Sequence, residues 1–236
     1  MKAGVIIQAR LSSKRLPGKM MLPLAGVPLY KYVYDRCLNL KNANNVIIAT
    51  SDDESDDLLA SHGFDNNVSI FRGNLEDVLN RYVMCALENK FDIIVRVCGD
   101  SPFVDIHQLD KMIELFKKEK YEYIAFDKNA CVAGLDFEIV STKCLSGVAN
   151  MAKSNSEREH VTKYIRDNLH LFNTFIINTK LLIDEVADLK LTVDEERDYL
   201  LALEIANILS LKHKQTLNFK TSEVFDAVKI LRAENT

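Results

Sequence analysis

Arg10, Lys14, Arg15 and Lys19 set four cations in the stretch "QARLSSKRLPGK", residues 8–19, of a chain whose formal net charge is −4. Guanidinium and ammonium groups fixed at a loop-to-helix transition, together with backbone N–H groups, make a receptor for phosphate. The stretch has neither GxGxxG nor GxxxxGK[ST], so a dinucleotide fingerprint and a P-loop are both absent. A solvated basic loop is the alternative reading. Asp100, in "VRVCGDSP", follows an apolar run, with Gly99 allowing close backbone approach and Pro102 stiffening the loop. A carboxylate there suits Mg²⁺, which binds phosphates through one or two protein carboxylates; an Asx-type turn cap is the bland reading. Asp194, in "LKLTVDEE", ends another apolar β-type segment and is the candidate partner of Asp100.

These residues need a scaffold that brings distant loops together, and the first half of the chain supplies one. Apolar runs at 3–8, 46–50 ("VIIAT"), 68–72 ("VSIFR") and in "DIIVRVC" read as buried parallel strands. Between them fall helical patterns: one behind Pro28, "SDDESDDLLASHG" closed by Gly63, "LEDVLNRYVMCALENK" capped by Asn74, and "HQLDKMIELFKKEK". Alternation of this kind predicts a mostly parallel, doubly wound α/β sheet with right-handed crossovers. In such sheets ligands bind beyond the carboxyl ends of the strands. The basic loop, Ser51–Asp57, Arg72 and Gly99–Pro102 then share one rim.

After Tyr121 the rhythm changes. "YEYIAFD", "GLDFEIVST", "FNTFIIN" and "LKLTVD" read as strands, "SEREHVTKYIRDNL" as a helix, and "EERDYLLALEIANIL" as a closing helix. No linker separates the halves, so 1–236 reads as one domain with a mixed α/β insertion for a second substrate. With 236 residues, 47% of them hydrophobic, the chain has material for a substantial core. Beyond the opening loop there is no basic stripe, which argues against nucleic acid. No apolar run approaches a membrane span and no secretory signal is legible. The five scattered cysteines, without CxxC or zinc-ligand spacing, fit a cytoplasmic protein.

Seven segments, in this order, carry a resemblance: "IIQARLSSKRLPGKMMLPLAGVPL", "VIIATSDD", "IFRGNLEDVLNRY", "VRVCGDSPFVD", "GLDFEIVS", "SEREHVTKYIR" and "LKLTVDEERD". Together they resemble the cytidylyltransferases of the spore-coat polysaccharide type, related to the enzymes that make CMP-3-deoxy-manno-octulosonate and CMP-acylneuraminate. The resemblance implies a GT-A-like nucleotidyltransferase fold, Mg²⁺ as cofactor, and reaction of CTP with a small sugar-type acceptor to release pyrophosphate. It also implies a homodimer. It assigns Gln8, Ala9, Arg10, Ser13, Lys14, Arg15, Lys19, Arg72, Asp77, Arg81, Gly99 and Asp100 to the nucleotide. Arg10, Lys19 and Asp100 become the catalytic residues, Asp100 and Asp194 the metal ligands. Asp136, Glu138, Glu159 and His160 fall in stretches that face the acceptor. In these terms 1–120 is the nucleotide-binding part, 121–190 the acceptor-binding part, and 191–211 carries the second metal aspartate and closing helix. The sequence departs from the family pattern at Ser12, where glycine is usual, and after Asp194, where proline is usual. It departs again in "KNACVAGLDFE".

Other candidates weigh less. His62, His107, His170 and His213 read as solvated or capping, and His160 as an acceptor ligand or a helix-surface residue. Asp52, Asp53, Glu54, Asp56 and Asp57 read mainly as a solvated helix N-terminus, with Asp52 or Asp53 open as a ribose contact. Tyr30, Tyr32 and Tyr34 read as helix packing. Two rivals remain: a GT-A glycosyltransferase using a finished nucleotide sugar, and a catalytically silent nucleotide-binding protein.

Overall fold

The computed structural model describes residues 1–127, 130–178, 189–213 and 216–234. Strand β1 (Ala3–Gln8) is apolar along its length because both of its faces are covered: Val5 and Ile7 enter one core cluster, Ile6 the other. A basic loop follows, then a small antiparallel ribbon of β2 (Pro23–Leu24) and β3 (Val27–Pro28), and helix α1 (Leu29–Cys37). Next come β4 (Asn45–Ser51), α2 (Asp57–Asp65), β5 (Ile70–Gly73), α3 (Val78–Glu88), β6 (Ile93–Cys98) and α4 (Ile106–Glu119). This half alternates as expected, and β5, β4, β1 and β6 lie side by side, all parallel.

The second half holds β7 (Tyr123–Phe126), β8 (Glu138–Ser141), α5 (Thr142–Met151), α6 (Asn155–Glu159), α7 (Lys163–Asp167), β9 (Thr174–Ile177), α8 (Glu196–His213) and α9 (Thr221–Glu234). It extends the same sheet to seven strands in the order β5-β4-β1-β6-β8-β7-β9. Strand β8 is antiparallel to both β6 and β7, whereas β9 is parallel to β7. Helices α1, α4, α8 and α9 cover one face of the sheet, and α3, α5 and α7 the other.

Several expectations are corrected. The stretch 156–169 is two short helices rather than one, broken where Val161 takes φ +28° with its side chain fully buried. "LKLTVD" forms no strand among its residues. Lys190 makes an isolated bridge to Ala133, and the N–H groups of Leu191 and Val193 donate to the carbonyls of Ala133 and Asp100 in loops. Helix α2 runs on past Gly63, where a Cβ would lie 2.5 Å from the tip of the Ile70 side chain and push it aside. Asn74 caps the turn before α3 through the N–H groups of Glu76 and Asp77, and Asp77 caps the helix itself. Helix α9 was not anticipated. The expected acceptor-binding part includes residues 128–129 and 179–188, which lie outside the described residues.

Arg36 fastens this last layer. It is fully buried on α1 and donates to the carbonyls of Val104, Leu217 and Phe219, with its guanidinium 3.7 Å from the Phe219 ring centroid. Tyr30, Tyr32 and Tyr34 are buried in the same region, as the packing reading required. Three histidines read as solvated or capping are half-buried, with His62 and His213 in the last turns of α2 and α8. His62 meets the Tyr30 hydroxyl at 2.6 Å, His107 Nε2 is buried, and His213 contacts Glu223 at 3.0 Å.

Candidate active site

A cleft of about 1140 Å³ opens at the carboxyl ends of β1 and β6, the rim that the topology designates. Gln8, Ala9, Arg10, Ser13, Lys14, Arg15 and Lys19 line it, with Asp77, Asp100, Glu159 and Asp194. The sequence pointed to all of these. It did not point to Ser12, Met20, Asn74, Leu75, Glu76, Arg96, Cys98, Asn155 and Arg158, which line it as well.

At its centre Asp100 and Asp194 converge on one cation. The Lys19 ammonium donates to Asp100 Oδ2 at 2.7 Å and to the Val193 carbonyl at 2.6 Å, and lies 3.5 Å from Asp194 Oδ1. Lys19 reaches this point because the loop folds back: Gly18 takes φ +68°, outside the range comfortable for other residues, and starts the 3-10 turn Lys19–Met21. Gly99 is held in equally tight quarters. A Cβ there would lie 2.8 Å from the Gln8 carbonyl, so the glycine lets the Asp100 loop lie against the end of β1. The close approach is to protein backbone, and Gly99 itself does not line the cleft.

Asp194 also accepts from Arg15 at 2.8 Å and pairs with Lys190 at 3.0 Å. Burial alone pushes its carboxyl up, but Lys190, Lys19 and Arg15 together hold it below the usual range. Behind it stands a residue the sequence did not single out. Asp198, in the first turn of α8, accepts the backbone N–H groups of Asp194 and Glu195 at 3.1 and 3.0 Å and pairs with Lys190 at 2.5 Å. The acid three residues after Glu195 in "VDEERD" was the available signal.

The basic loop has its own anchor. Asp56 is fully buried, takes the Leu11 N–H at 2.7 Å and the Ser51 N–H at 3.2 Å, and is also bonded by the Ser51 hydroxyl. Of the five acids read mainly as a solvated helix N-terminus, this one is a buried tie between two loops. A buried carboxylate is retained only where donors surround it.

Arg72 and Arg81, assigned to the nucleotide, are spent on backbone. Arg72 donates to the carbonyls of Ser51 and Asp53 and pairs with Asp57. Arg81 is buried and donates to the carbonyls of Asn74 and Leu75. Neither lines the cleft; each shapes a loop that does or borders one. Asp77 lines the cleft and pairs with Arg158 at 3.1 Å.

The residues expected to face the acceptor divide. Glu159 lies in the wall and approaches Arg10 at 3.5 Å across the cleft. His160 is exposed after α6, and Asp136 is exposed with its carboxylate turned to the Gly134 N–H; neither lines the cleft. Glu138 is buried. Its oxygens accept from Arg96 at 2.5 Å, from the Thr162 hydroxyl at 2.7 Å and from the Tyr123 hydroxyl, with Arg166 at 3.8 Å. Burial pushes its carboxyl up, yet Arg96 and Arg166 hold it below its usual range. An acceptor would find Arg96 in the cleft, not Glu138.

The donor set at the centre fits a divalent ion. Two carboxylates already gather around one positive charge, and among the described residues no group of three or more His, Cys, Asp or Glu forms a closed metal cage.

Known proteins resemble this chain in sequence and in fold. A family model described as Cytidylyltransferase matches residues 4–231. The spore coat polysaccharide biosynthesis protein SpsF of Bacillus subtilis is 35% identical over 199 residues, covering 82% of each chain. The uncharacterized protein MJ1063 of Methanocaldococcus jannaschii is 31% identical over 226 residues, 96% of this chain and 90% of that one. A cytidylyltransferase structure from Leptospira borgpetersenii superposes with a TM-score of 0.85 at 28% identity, over 100% of this chain and 95% of that one. A CMP:2-keto-3-deoxy-manno-octonic acid synthetase solved with CTP shares the fold, with a TM-score of 0.65 at 16% identity over 90% of this chain and all of that one.

Proposed function

The chain belongs to the cytidylyltransferase family, and from that premise we propose that it transfers CMP from CTP to a small sugar-type acceptor, releasing pyrophosphate, for polysaccharide or glycoconjugate synthesis. One observation carries the reading: Lys19, Asp100 and Asp194 meet within hydrogen-bonding or ion-pair distance beneath a loop that also presents Arg10, Lys14 and Arg15 to the cleft.

The triphosphate lies along the basic loop. Arg10, Lys14, Arg15 and Lys19 offset its charge, and they favour the transition state because negative charge grows on the departing pyrophosphate. Asp100 and Asp194 would hold Mg²⁺, which when bound neutralises phosphate oxygens and lowers the barrier to attack. An acceptor oxygen attacks the α-phosphorus, a new P–O bond forms, and the bond to the β-phosphate oxygen breaks. Asp198 keeps the Asp194 carboxylate aimed, and Asp56 keeps the basic loop in place. Positioning and charge neutralisation supply most of the rate enhancement. The protein acts as a homodimer in the cytoplasm in this reading. Among the described residues no helix is long and apolar enough to cross a membrane.

The experiment is a pyrophosphate-release screen of four nucleoside triphosphates against acidic sugars, sugar phosphates and polyol phosphates with Mg²⁺. Release from CTP with one acceptor class is expected. Activity confined to UTP or GTP defeats the cytidylyl assignment. Sedimentation of the purified protein checks the dimer.

A further inference from the structure

The floor of the cleft holds an arginine whose chemistry the reaction described above does not use. Arg96 sits in the middle of β6, paired in register with Ile6 on one side and Glu138 on the other, and its side chain lines the cleft. It lies two residues before Cys98, roughly 7 Å down the strand from that end of β6. An arginine inside an apolar central strand is costly unless it is paired. Here one edge is paired, through Nη1 to Glu138, while Nε is buried without a hydrogen-bond partner.

Glu138 is not free for a second task. Arg96, Arg166, the Tyr123 hydroxyl and the Thr162 hydroxyl surround it. Two guanidinium groups thus face one carboxylate, and the cluster keeps a surplus positive charge at the base of the cleft. A bridge that served only to join β6 to β8 would need neither that surplus nor a side chain open to the cleft.

Resting on the cytidylyltransferase reading, we propose that Arg96 is the residue that selects the acceptor: it receives an anionic group of the acceptor, a carboxylate or a phosphate, and Glu138 is the positioning residue that holds it. A fixed guanidinium fork is suited to both anions, and rigid placement by Glu138 keeps the ordering cost low. The wall above it, Asn155, Arg158 and Glu159 on α6, supplies further polar groups for a hydroxylated body.

Two measurements test this. In kinetics, the double variant R96Q/E138Q removes both charges of the buried pair together and leaves unpaired only Arg166, which is partly exposed. It is expected to raise KM for the acceptor about tenfold, with KM for CTP and kcat moving far less. R96K, which keeps the charge but loses the fork, should fall between. Lys118→Gln, at an exposed position of α4 outside the cleft lining, should leave acceptor KM close to wild type. Equal changes in both KM values, or an unmoved acceptor KM, overturn the proposal.

The second readout needs no turnover. In arginine-labelled ¹⁵N protein, the Arg96 Nε–H signal, assigned by its loss in R96K, is titrated with 3-deoxy-manno-octulosonate and with glucose 1-phosphate. A shift with the first alone identifies a carboxylate, with the second alone a phosphate. No shift with either, or a shift on adding CTP alone, overturns the proposal. If CTP is never turned over yet the signal titrates with an acceptor anion, the cytidylyl reading fails while anion binding at Arg96 stands.

Discussion

The two sides of the cleft handle charge in opposite ways. On the nucleotide side the cations sit on a loop: Arg15 is largely exposed and Lys14 is exposed. Buried there are Lys19, against Asp100 and Asp194, and the anchor beneath, Asp56, whose partners are mostly backbone N–H groups. On the acceptor side the charges are in the sheet itself, where Arg96 and Glu138 face each other across β6 and β8. In the proposed reaction the triphosphate is large, highly charged and always the same, so a screened loop with several cations would suffice to hold it. An acceptor must be told from its neighbours, and discrimination is strongest where desolvation makes an unpaired group expensive.

If that contrast is right, damage to the two sides should differ in kind. The largest expected effect is on the acceptor side. Glu138→Ala leaves Arg96 and Arg166 without their carboxylate and should cost about 3–5 kcal/mol of folding free energy, read by urea unfolding. A loss below about 1 kcal/mol would show that the network is not a buried one. Next is Asp100→Asn at the junction, where turnover should fall about 10²–10³-fold while the melting temperature barely moves. A turnover comparable with wild type would remove Asp100 from the chemistry.

On the nucleotide side Asp56→Ala should be milder in stability. Two loops lose their tie, at about 1–3 kcal/mol, and KM for CTP should rise with the acceptor KM unaffected. A rise in both would blur the division between the two sides. The smallest effect lies away from both, at Glu223. Hydrogen bonds from Lys212, from the Lys220 N–H and from His213 hold its carboxyl at about 2, below the ordinary value of 4.5. A depressed carboxyl stabilises the fold fully above the unfolded value and loses that contribution as pH falls through the folded one. Glu223→Gln should therefore unfold earlier than wild type at neutral pH, and the gap should close between about pH 4.5 and 2. A constant gap down to pH 2 would exclude the titration of Glu223 as its source.

The same contrast separates what was legible in the sequence from what was not. Loop chemistry at strand ends can be read, because an apolar run that stops at Gln8 or Cys98 announces where the rim must be. Lys19 and Asp100 could be grouped on that ground, whereas Asp194 joined them only through the resemblance, since the segment it ends forms no strand. Arg96 could not, since one charge inside "IIVRVC" is indistinguishable from a surface position without knowing which face of β6 is covered. Glu138 illustrates the converse: its motif marked the right neighbourhood, but only cross-strand register shows that Arg96 stands between it and the cleft. Asp56 and Asp198 were hidden among other acids, and burial alone tells an anchor from a solvated neighbour. Helix α9 is a different kind of omission. Val224, Ala227, Val228 and Leu231 carry its helical spacing in plain view.

Arg36 sets a practical boundary on shortening the chain. Its three carbonyl partners are Val104, Leu217 and Phe219, so two of them belong to the segment that leads into the last helix. Cutting the polypeptide ahead of Leu217 would strand a guanidinium, already depressed to about 10 by burial, inside the first helix layer with most of its donors unfilled. A protease that clips between α8 and α9 should therefore be felt at α1, which the β2–β3 ribbon joins to the basic loop. The far end of the chain is a keystone for its beginning.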